Sequence, residues 1–379
     1  MKIYENLIIG GGASGLYLAS LLNAKTTLIL EKNAKCGLKI LASGGGRCNV
    51  TNQNISPKNY LANENFIYNV LLKFNYKKTL EIFKNLNFSL EKKTQFYCKS
   101  GSKDVLNTLL NAIKCEILTN HEVTHVSKNL KNNTFEITST KEKFYCKNLI
   151  IATGGISYKK LGATGLGYEI AKNFNLEIIT PCPALVGFSV QKDEFWFKNL
   201  SGVSLDSIIS VNDRFFKDKV LFTHKGISGP AVLNASLFWK KGKISINFAP
   251  KINIKNLKNS KKQVSTLMQL PKNFTKEFLH SQNLSDKPYD NFSTDEKAKF
   301  NKIFNYEFAP AGNFGFEKAE ITKGGISTDE LSENFESKKV SNLYFIGEVL
   351  DVNGMLGGYN LHFAFASANI ASQKINLNL

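Results

Sequence analysis

The sequence contains no two cysteines at C-x-x-C spacing. Its six cysteines (Cys36, Cys48, Cys98, Cys115, Cys146 and Cys182) are scattered. That excludes a disulfide framework, a zinc knuckle and an iron–sulfur cluster, and leaves reduced thiols. His121, His125, His280 and His362 have no companions at metal-ligand spacing, so no metal is expected. No apolar run approaches the roughly 20 residues that a membrane-spanning helix requires. Leu7-Ile8-Ile9 is cut short by glycines and has no small-residue cleavage site behind it, so it reads as a first strand and not a signal peptide. A cytoplasmic protein without a membrane partner is expected. Arginine is nearly missing as well. Arg47 and Arg214 stand alone, so the net charge of +18 is almost wholly lysine. Such a charge attracts phosphate. A generally basic, solvated surface on a chain rich in Asn, Ile and Phe explains it equally well.

What remains is the composition of an ordinary globular protein, 42% hydrophobic and 21% charged over 379 residues. That length suits roughly two or three domains. The first thirty residues run strand, turn, helix, strand: Leu7-Ile8-Ile9, then Gly10 to Gly15, Leu16 to Leu22, and Thr27 to Leu30 closed by Glu31. This βαβ start implies a parallel sheet. Leu149-Ile150-Ile151-Ala152 ends at Thr153-Gly154-Gly155. Leu343-Tyr344-Phe345-Ile346 ends at Gly347-Glu348 and leads to an alanine-rich final helix, His362 to Ala371. Three strands that end in glycine predict one sheet assembled from both chain ends. Between them, residues 187–250 and about 305–320 alternate like antiparallel strands, and about 251–304 carry short helical patterns. The expected organisation is therefore 1–186 and 321–379 as one α/β domain, with 187–320 inserted as a barrel-like β unit plus a helical lobe.

Gly10-Gly11-Gly12-Ala13-Ser14-Gly15 fits G-x-G-x-x-G between a strand and a helix. Gly10 permits the turn, Gly12 lets backbone approach a pyrophosphate, and Gly15 allows close helix–strand packing. The helix N-terminus then favours an anion. Glu31, about twenty residues on, can accept hydrogen bonds from ribose hydroxyls.

Further residues carry a resemblance. Ser43-Gly44-Gly45-Gly46-Arg47-Cys48-Asn49-Val50-Thr51-Asn52 resembles the S-G-G-G-R-C-N-x-T-N signature of the HI0933-like family of bacterial flavoproteins. Gly162 to Tyr168, Pro181 to Val186, Phe222 to Pro230, Thr322 to Ile326, and Gly347 to Asp351 with Gly357 to Leu361 fit the same family end to end. The resemblance implies a Rossmann-like FAD-binding fold of the glutathione reductase/succinate dehydrogenase type, with NAD(P)H as electron donor. Carried over residue by residue, Gly10, Gly12, Ala13, Ser14 and Gly15 cradle the FAD pyrophosphate and Glu31 meets the adenosine ribose. Val123 offers backbone to adenine, and Thr153 and Gly154 close over that half of the cofactor. Gly347 and Glu348 meet the ribityl chain. Gly358, Tyr359, Asn360 and Leu361 place a helix end at the flavin, and the loop containing Lys39, Gly46, Arg47 and Asn49 runs beside the isoalloxazine ring. The chain departs from the family at Leu166, where an aspartate is usual, at Asn353 to Gly358, and at Lys93 to Tyr97.

The resemblance also names three substrate kinds: steroid-like enones, small amines, and a uridine of large-subunit ribosomal RNA reduced to dihydrouridine. Enone and uracil share a C=C bond conjugated to a carbonyl, which hydride from reduced flavin and a proton from a general acid can saturate. Cys48 is the first candidate acid, with Arg47 beside it to bind a carbonyl oxygen; a packing role for the thiol is the alternative. His224 is the second candidate. The lysine excess favours ribosomal RNA as partner over a metabolite, with a flavin-bound assembly factor as a third reading.

Overall fold

The computed structural model describes residues 2–377. The chain divides into two compact units, Met1–Cys182 with Ile321–Leu379, and Pro183–Glu320.

In the first unit the strand Ile3–Ile9 lies at the centre of a parallel sheet. It pairs on one side with Thr27–Leu30, which pairs in turn with Glu116–Leu118. On the other side it pairs with Lys143–Ile151. The far half of that long strand then takes Leu343–Phe345, which comes from the end of the chain. Leu7, Ile8, Ile9, Leu149, Ile150, Ile151, Leu343 and Phe345 are buried, as continuous apolar runs must be in a sheet covered on both faces. Their registers coincide: Leu7 faces Leu149, which faces Leu343, and Ile9 faces Ile151, which faces Phe345. The glycine turns that follow all three therefore emerge at one edge. The near half of Lys143–Ile151 pairs antiparallel with Thr134–Ser139, which pairs with Val123–Asn129.

The first helix, Ala13–Leu21, packs along the final helix, Tyr359–Leu377. The final helix is tied down by His362, whose side chain is fully buried. Its Nε2 lies 3.2 Å from the Phe74 carbonyl oxygen, and its Nδ1 lies 3.0 Å from Thr51 Oγ1 and 2.9 Å from Thr79 Oγ1. A carbonyl can only accept, so Nε2 carries a proton; burial disfavours a second one, which leaves Nδ1 a single lone pair for the two hydroxyls to share. The ring is thus neutral, and burial lowers its pKa from 6.5 to about 4.

The second unit contains seven strands in one sheet, ordered Tyr306–Phe308, Ile244–Asn247, Ser204–Val211, Arg214–Thr223, Gly226–Ser228, Phe188–Ser189, Gly312–Asn313. Its two edge strands are neighbours in the chain. Residues 309–311 between them span at most about 14 Å, whereas six flat inter-strand steps would cover about 29 Å. The sheet must therefore curl toward closure, a barrel-like form with two free edges. Trp196 sits in an aromatic cluster with Phe197, Phe222, Phe248, Phe274 and Tyr306, and its indole N–H donates to Tyr306 Oη at 3.2 Å. The helices Val264–Met268, Lys272–Ser281 and Thr294–Asn301 follow one another between residues 251 and 304. Among the described residues, no helix is long and apolar enough to cross a membrane.

The depressed His362 pKa sets an acid limit on stability. Between pH 6.5 and 4 the unfolded chain binds a proton that the folded one refuses, so stability falls as pH falls through this window, by about 3 kcal/mol. Urea unfolding of wild type and His362→Gln across that range should show the dependence flattened in the variant. Parallel curves would assign the acid sensitivity elsewhere.

Candidate functional site

The site is built where the three strands end. Gly10 has φ +111°, and a Cβ there would fall 2.5 Å from Ala152 O. Only glycine allows the first strand to turn beside Thr153. A Cβ at Gly15 would strike the Gly10 carbonyl oxygen, so the helix Ala13–Leu21 starts flush against its own strand. Gly12 differs: nothing lies within 4 Å of a Cβ there. It caps the helix without a side-chain hydrogen bond. Free N–H groups and the positive end of the helix thus face open space, the arrangement that binds a phosphate. Glu31 is buried beside this turn. Its Oε2 accepts from Gly11 N–H at 2.8 Å, and its Oε1 accepts from Asn33 N and Nδ2, both at 2.8 Å. Those bonds fix the carboxylate next to the anion site. They leave lone pairs for hydroxyl donors.

Ser14 meets the third strand end directly: a Cβ at Gly347 would lie 2.6 Å from Ser14 Oγ. Gly347 N–H donates to Ser367 Oγ of the final helix at 3.0 Å. Gly154, with φ +71° and no neighbour within 4 Å of a Cβ, lines the same opening. Val123 begins the antiparallel hairpin with its side chain buried, opposite Ser139.

Lys39 and Glu348 are joined by an ion pair, with Nζ 2.8 Å from Oε1 and 2.6 Å from Oε2. Glu348 Oε1 also accepts from Thr322 N–H at 3.0 Å. Thr322 Oγ1 in turn accepts from the N–H groups of Ile156 (2.8 Å) and Ser157 (2.9 Å). Thr322, which lies within the Thr322 to Ile326 motif, links the loops after two strands. Tyr168 Oη is buried without a hydrogen-bond partner among the described residues. Burial, and then the nearby Glu348 and Asp351 carboxylates, push this phenol well above its ordinary range.

The second half of the Ser43–Asn52 signature is the strand Asn49–Asn52, and its work is structural. Asn52 Nδ2 donates to Gly357 O at 3.0 Å. With the Asn49 amide oriented to satisfy both its ends, Oδ1 accepts from Gly358 N–H at 3.3 Å and the nitrogen donates to Thr51 O at 2.9 Å. The strand therefore holds the turn that opens the final helix. The Asn360 amide closes that turn: it accepts from Gly354 N–H at 2.8 Å and donates to Gly354 O at 2.9 Å. Tyr359 O accepts from Tyr60 Oη, and Tyr359 itself is buried. Leu361 is half-buried one residue before His362.

The expected proton donors differ in exposure. Cys48 is fully buried, and burial raises its thiol to about 11, eased by a hydrogen bond with Ser43. It is protonated, but its sulfur offers no surface to a substrate, so the packing alternative fits its placement. Arg47 is exposed, 2.5 Å from Glu91 Oε1 and stacked 4.5 Å above the Tyr97 ring. Gly44, Gly45 and Gly46 all have positive φ (56°, 64° and 87°), and Gly45 and Gly46 have open space around them. His224 lies in the second unit, exposed on the tight turn between Arg214–Thr223 and Gly226–Ser228.

An open amide-lined turn, a fixed carboxylate and a second glycine shelf fit a dinucleotide, and they define a Rossmann-like α/β domain for one. The chain belongs to the HI0933-like family: the family model, the HI0933-like protein Rossmann domain, matches residues 4–374. Its class is that of the FAD-dependent oxidoreductases. The chain is 35% identical to the ribosomal RNA dihydrouridine synthase of Haemophilus influenzae over 98% of either chain. It is 33% identical to the Escherichia coli protein of the same name, over 99% of this chain and 98% of that one. It is also 29% identical to a 3-dehydro-bile acid delta(4,6)-reductase of Clostridium scindens over 97% of both.

Two glycines separate packing from binding. Gly15→Ala should lower both thermal stability and flavin content, because its methyl meets the Gly10 carbonyl. Gly12→Ala should leave the melting temperature of the flavin-free protein unchanged while weakening flavin binding roughly tenfold or more, about 1.4 kcal/mol. Melting curves with flavin absorbance per protein check both. Full flavin content in Gly12→Ala would place the diphosphate elsewhere.

Proposed function

We propose that this protein reduces a uridine of large-subunit ribosomal RNA to dihydrouridine, drawing electrons from NADH or NADPH in the cytoplasm. The main support is the likeness, over nearly the full length of both chains, to two proteins named as ribosomal RNA dihydrouridine synthases. The relative named as a bile-acid delta(4,6)-reductase supports the same bond chemistry on a different substrate.

In its bound, reduced state FAD supplies a hydride equivalent to the β carbon of a carbonyl-conjugated double bond. The chain's own residues bind and orient. The N–H groups at Gly12, Ala13 and Ser14 hold the diphosphate, and Glu31 holds the adenosine ribose, with the Val123 backbone at adenine and Thr153 and Gly154 closing over. Glu348 serves the ribityl hydroxyls, with Lys39 balancing its charge. The turn Gly358 to Leu361, clamped by Asn49 and Asn52, presents the N-terminus of the final helix, whose dipole favours negative charge beside it. The backbone at Gly45 and Gly46 leaves room for the ring. Arg47, held by Tyr97 and Glu91, keeps an exposed guanidinium that can donate to a carbonyl oxygen and stabilise an enolate. His224, exposed in the second unit, is the proposed source of the α-carbon proton. Uracil in folded RNA must be flipped out or met early in assembly.

Gene deletion should remove one dihydrouridine from large-subunit rRNA, read by nucleoside mass spectrometry, and wild-type complementation should restore it. His224→Asn should restore it poorly while keeping its flavin. An unchanged nucleoside profile on deletion, with flavin turnover by a small enone or amine, would replace the RNA reading with that of a metabolite enzyme. A phenotype on deletion, with none on mutating Cys48 and Arg47, would instead point to an assembly factor.

A further inference from the structure

The helical lobe of the second unit carries features that the redox site does not use. From Lys219 to Lys276 the chain contains no aspartate or glutamate. Within this stretch the segment around Ile254–Leu257 packs against the helix Val264–Met268, which packs against Lys272–Ser281. Leu257, Val264, Met268, Phe274 and Phe278 are buried beneath them. Phe274 and Phe278 are four residues apart, so Lys272 and Lys276 lie on the opposite stripe of the same helix.

Lys255, Lys258, Lys261, Lys262, Lys272 and Lys276 are all exposed, and none makes an ion pair among the described residues. The nearby carboxylates are engaged elsewhere. Asp286 accepts from Ser265, Asp290 from Asn259 N–H, and Glu277 from Asn199. The segment Lys192–Leu200 also packs on the helix Lys272–Ser281. It presents Phe195, 45% exposed, with Lys198 Nζ 3.3 Å from the ring centroid.

We infer that this lobe is a docking surface for single-stranded RNA. Unpaired lysines exchange condensed counterions for phosphate contacts, and an exposed aromatic ring offers a stacking face that any base can occupy. Six free ammonium groups on adjoining elements, with an aromatic plate on the segment packed against the last of them, combine both parts. A uniformly basic surface would not concentrate them in an acid-free stretch. The inference rests on the RNA reading above and gives that substrate an anchoring face on the protein.

The test is fluorescence anisotropy with a labelled oligouridine, titrated with salt. The lobe variant replaces all six lysines with glutamine. A control variant does the same at six exposed lysines of the first unit, Lys77, Lys84, Lys103, Lys131, Lys141 and Lys160. Circular dichroism and flavin content verify that both fold. The lobe variant should lose at least about tenfold in affinity, and the slope of log K against log salt should become shallower by about 4, near 0.7 per lysine. Phe195→Ala should weaken binding about tenfold with the slope preserved. The control variant should keep most of the wild-type slope. Equal losses in lobe and control variants, or an unchanged slope in the lobe variant, would overturn the docking surface. Binding is read without turnover, so the two proposals fail separately. Lobe-dependent oligouridine binding with an unaltered rRNA profile on deletion removes the substrate and keeps the surface. An unchanged slope with dihydrouridine lost on deletion does the reverse.

Discussion

Leu7, Leu149 and Leu343 stand side by side in three neighbouring parallel strands, and this alignment brings Gly10, Thr153 and Gly347 to one sheet edge. A slip of one residue in any strand would turn its side chains to the opposite face and withdraw its loop from the edge. Both faces are buried, so such a slip would also leave the apolar runs mispacked. Hydrophobic burial thus enforces the geometry of a polar site. The first helix can approach its strand only because Gly15 has no side chain, and its free amide end opens at Gly12 as a result. Anion binding follows from how closely the apolar parts pack.

The same dependence runs through the clamp around the final helix. Asn49 and Asn52 hold the Gly357-Gly358 turn, Asn360 closes it, and His362 anchors the first helical turn to Thr51, Thr79 and Phe74. These polar groups satisfy one another, so the helix end is rigid before any ligand arrives. The cost is a neutral buried imidazole. Rigidity of this kind is what a cofactor site needs, since loosely held dipoles reorganise when charge develops.

Much of this was legible in the sequence because it rests on local rules. A strand, a glycine turn and a helix follow each other within thirty residues, and Glu31 closes the next strand. The apolar runs at Leu149 and Leu343 announced their shared sheet by composition and terminal glycines. What stayed hidden depends on contacts distant in the chain. Cys48 lies in a glycine-rich signature that suggested chemistry, yet its burial is decided by elements packed around it. Asn360 looked like a ligand residue because it heads a helix; only the fold shows its amide returning to Gly354. Lys39 and Glu348 are separated by most of the chain, and no pattern in either neighbourhood states that they meet. Thr51 stands in the signature and His362 heads the last helix, yet nothing in either neighbourhood states that they meet, since a buried histidine and a surface one are the same letter.

The sheet draws its last central strand, Leu343–Phe345, from the far end of the chain. During synthesis the first 182 residues must wait with the far half of the Lys143–Ile151 strand open along one edge, while the second unit, complete by Glu320, can fold on its own contacts. The phosphate cradle would then be sealed late, after the ribosome has made nearly the whole polypeptide. A nascent chain therefore carries an adhesive strand edge for most of its translation, and stalled or truncated products should be prone to aggregate through it.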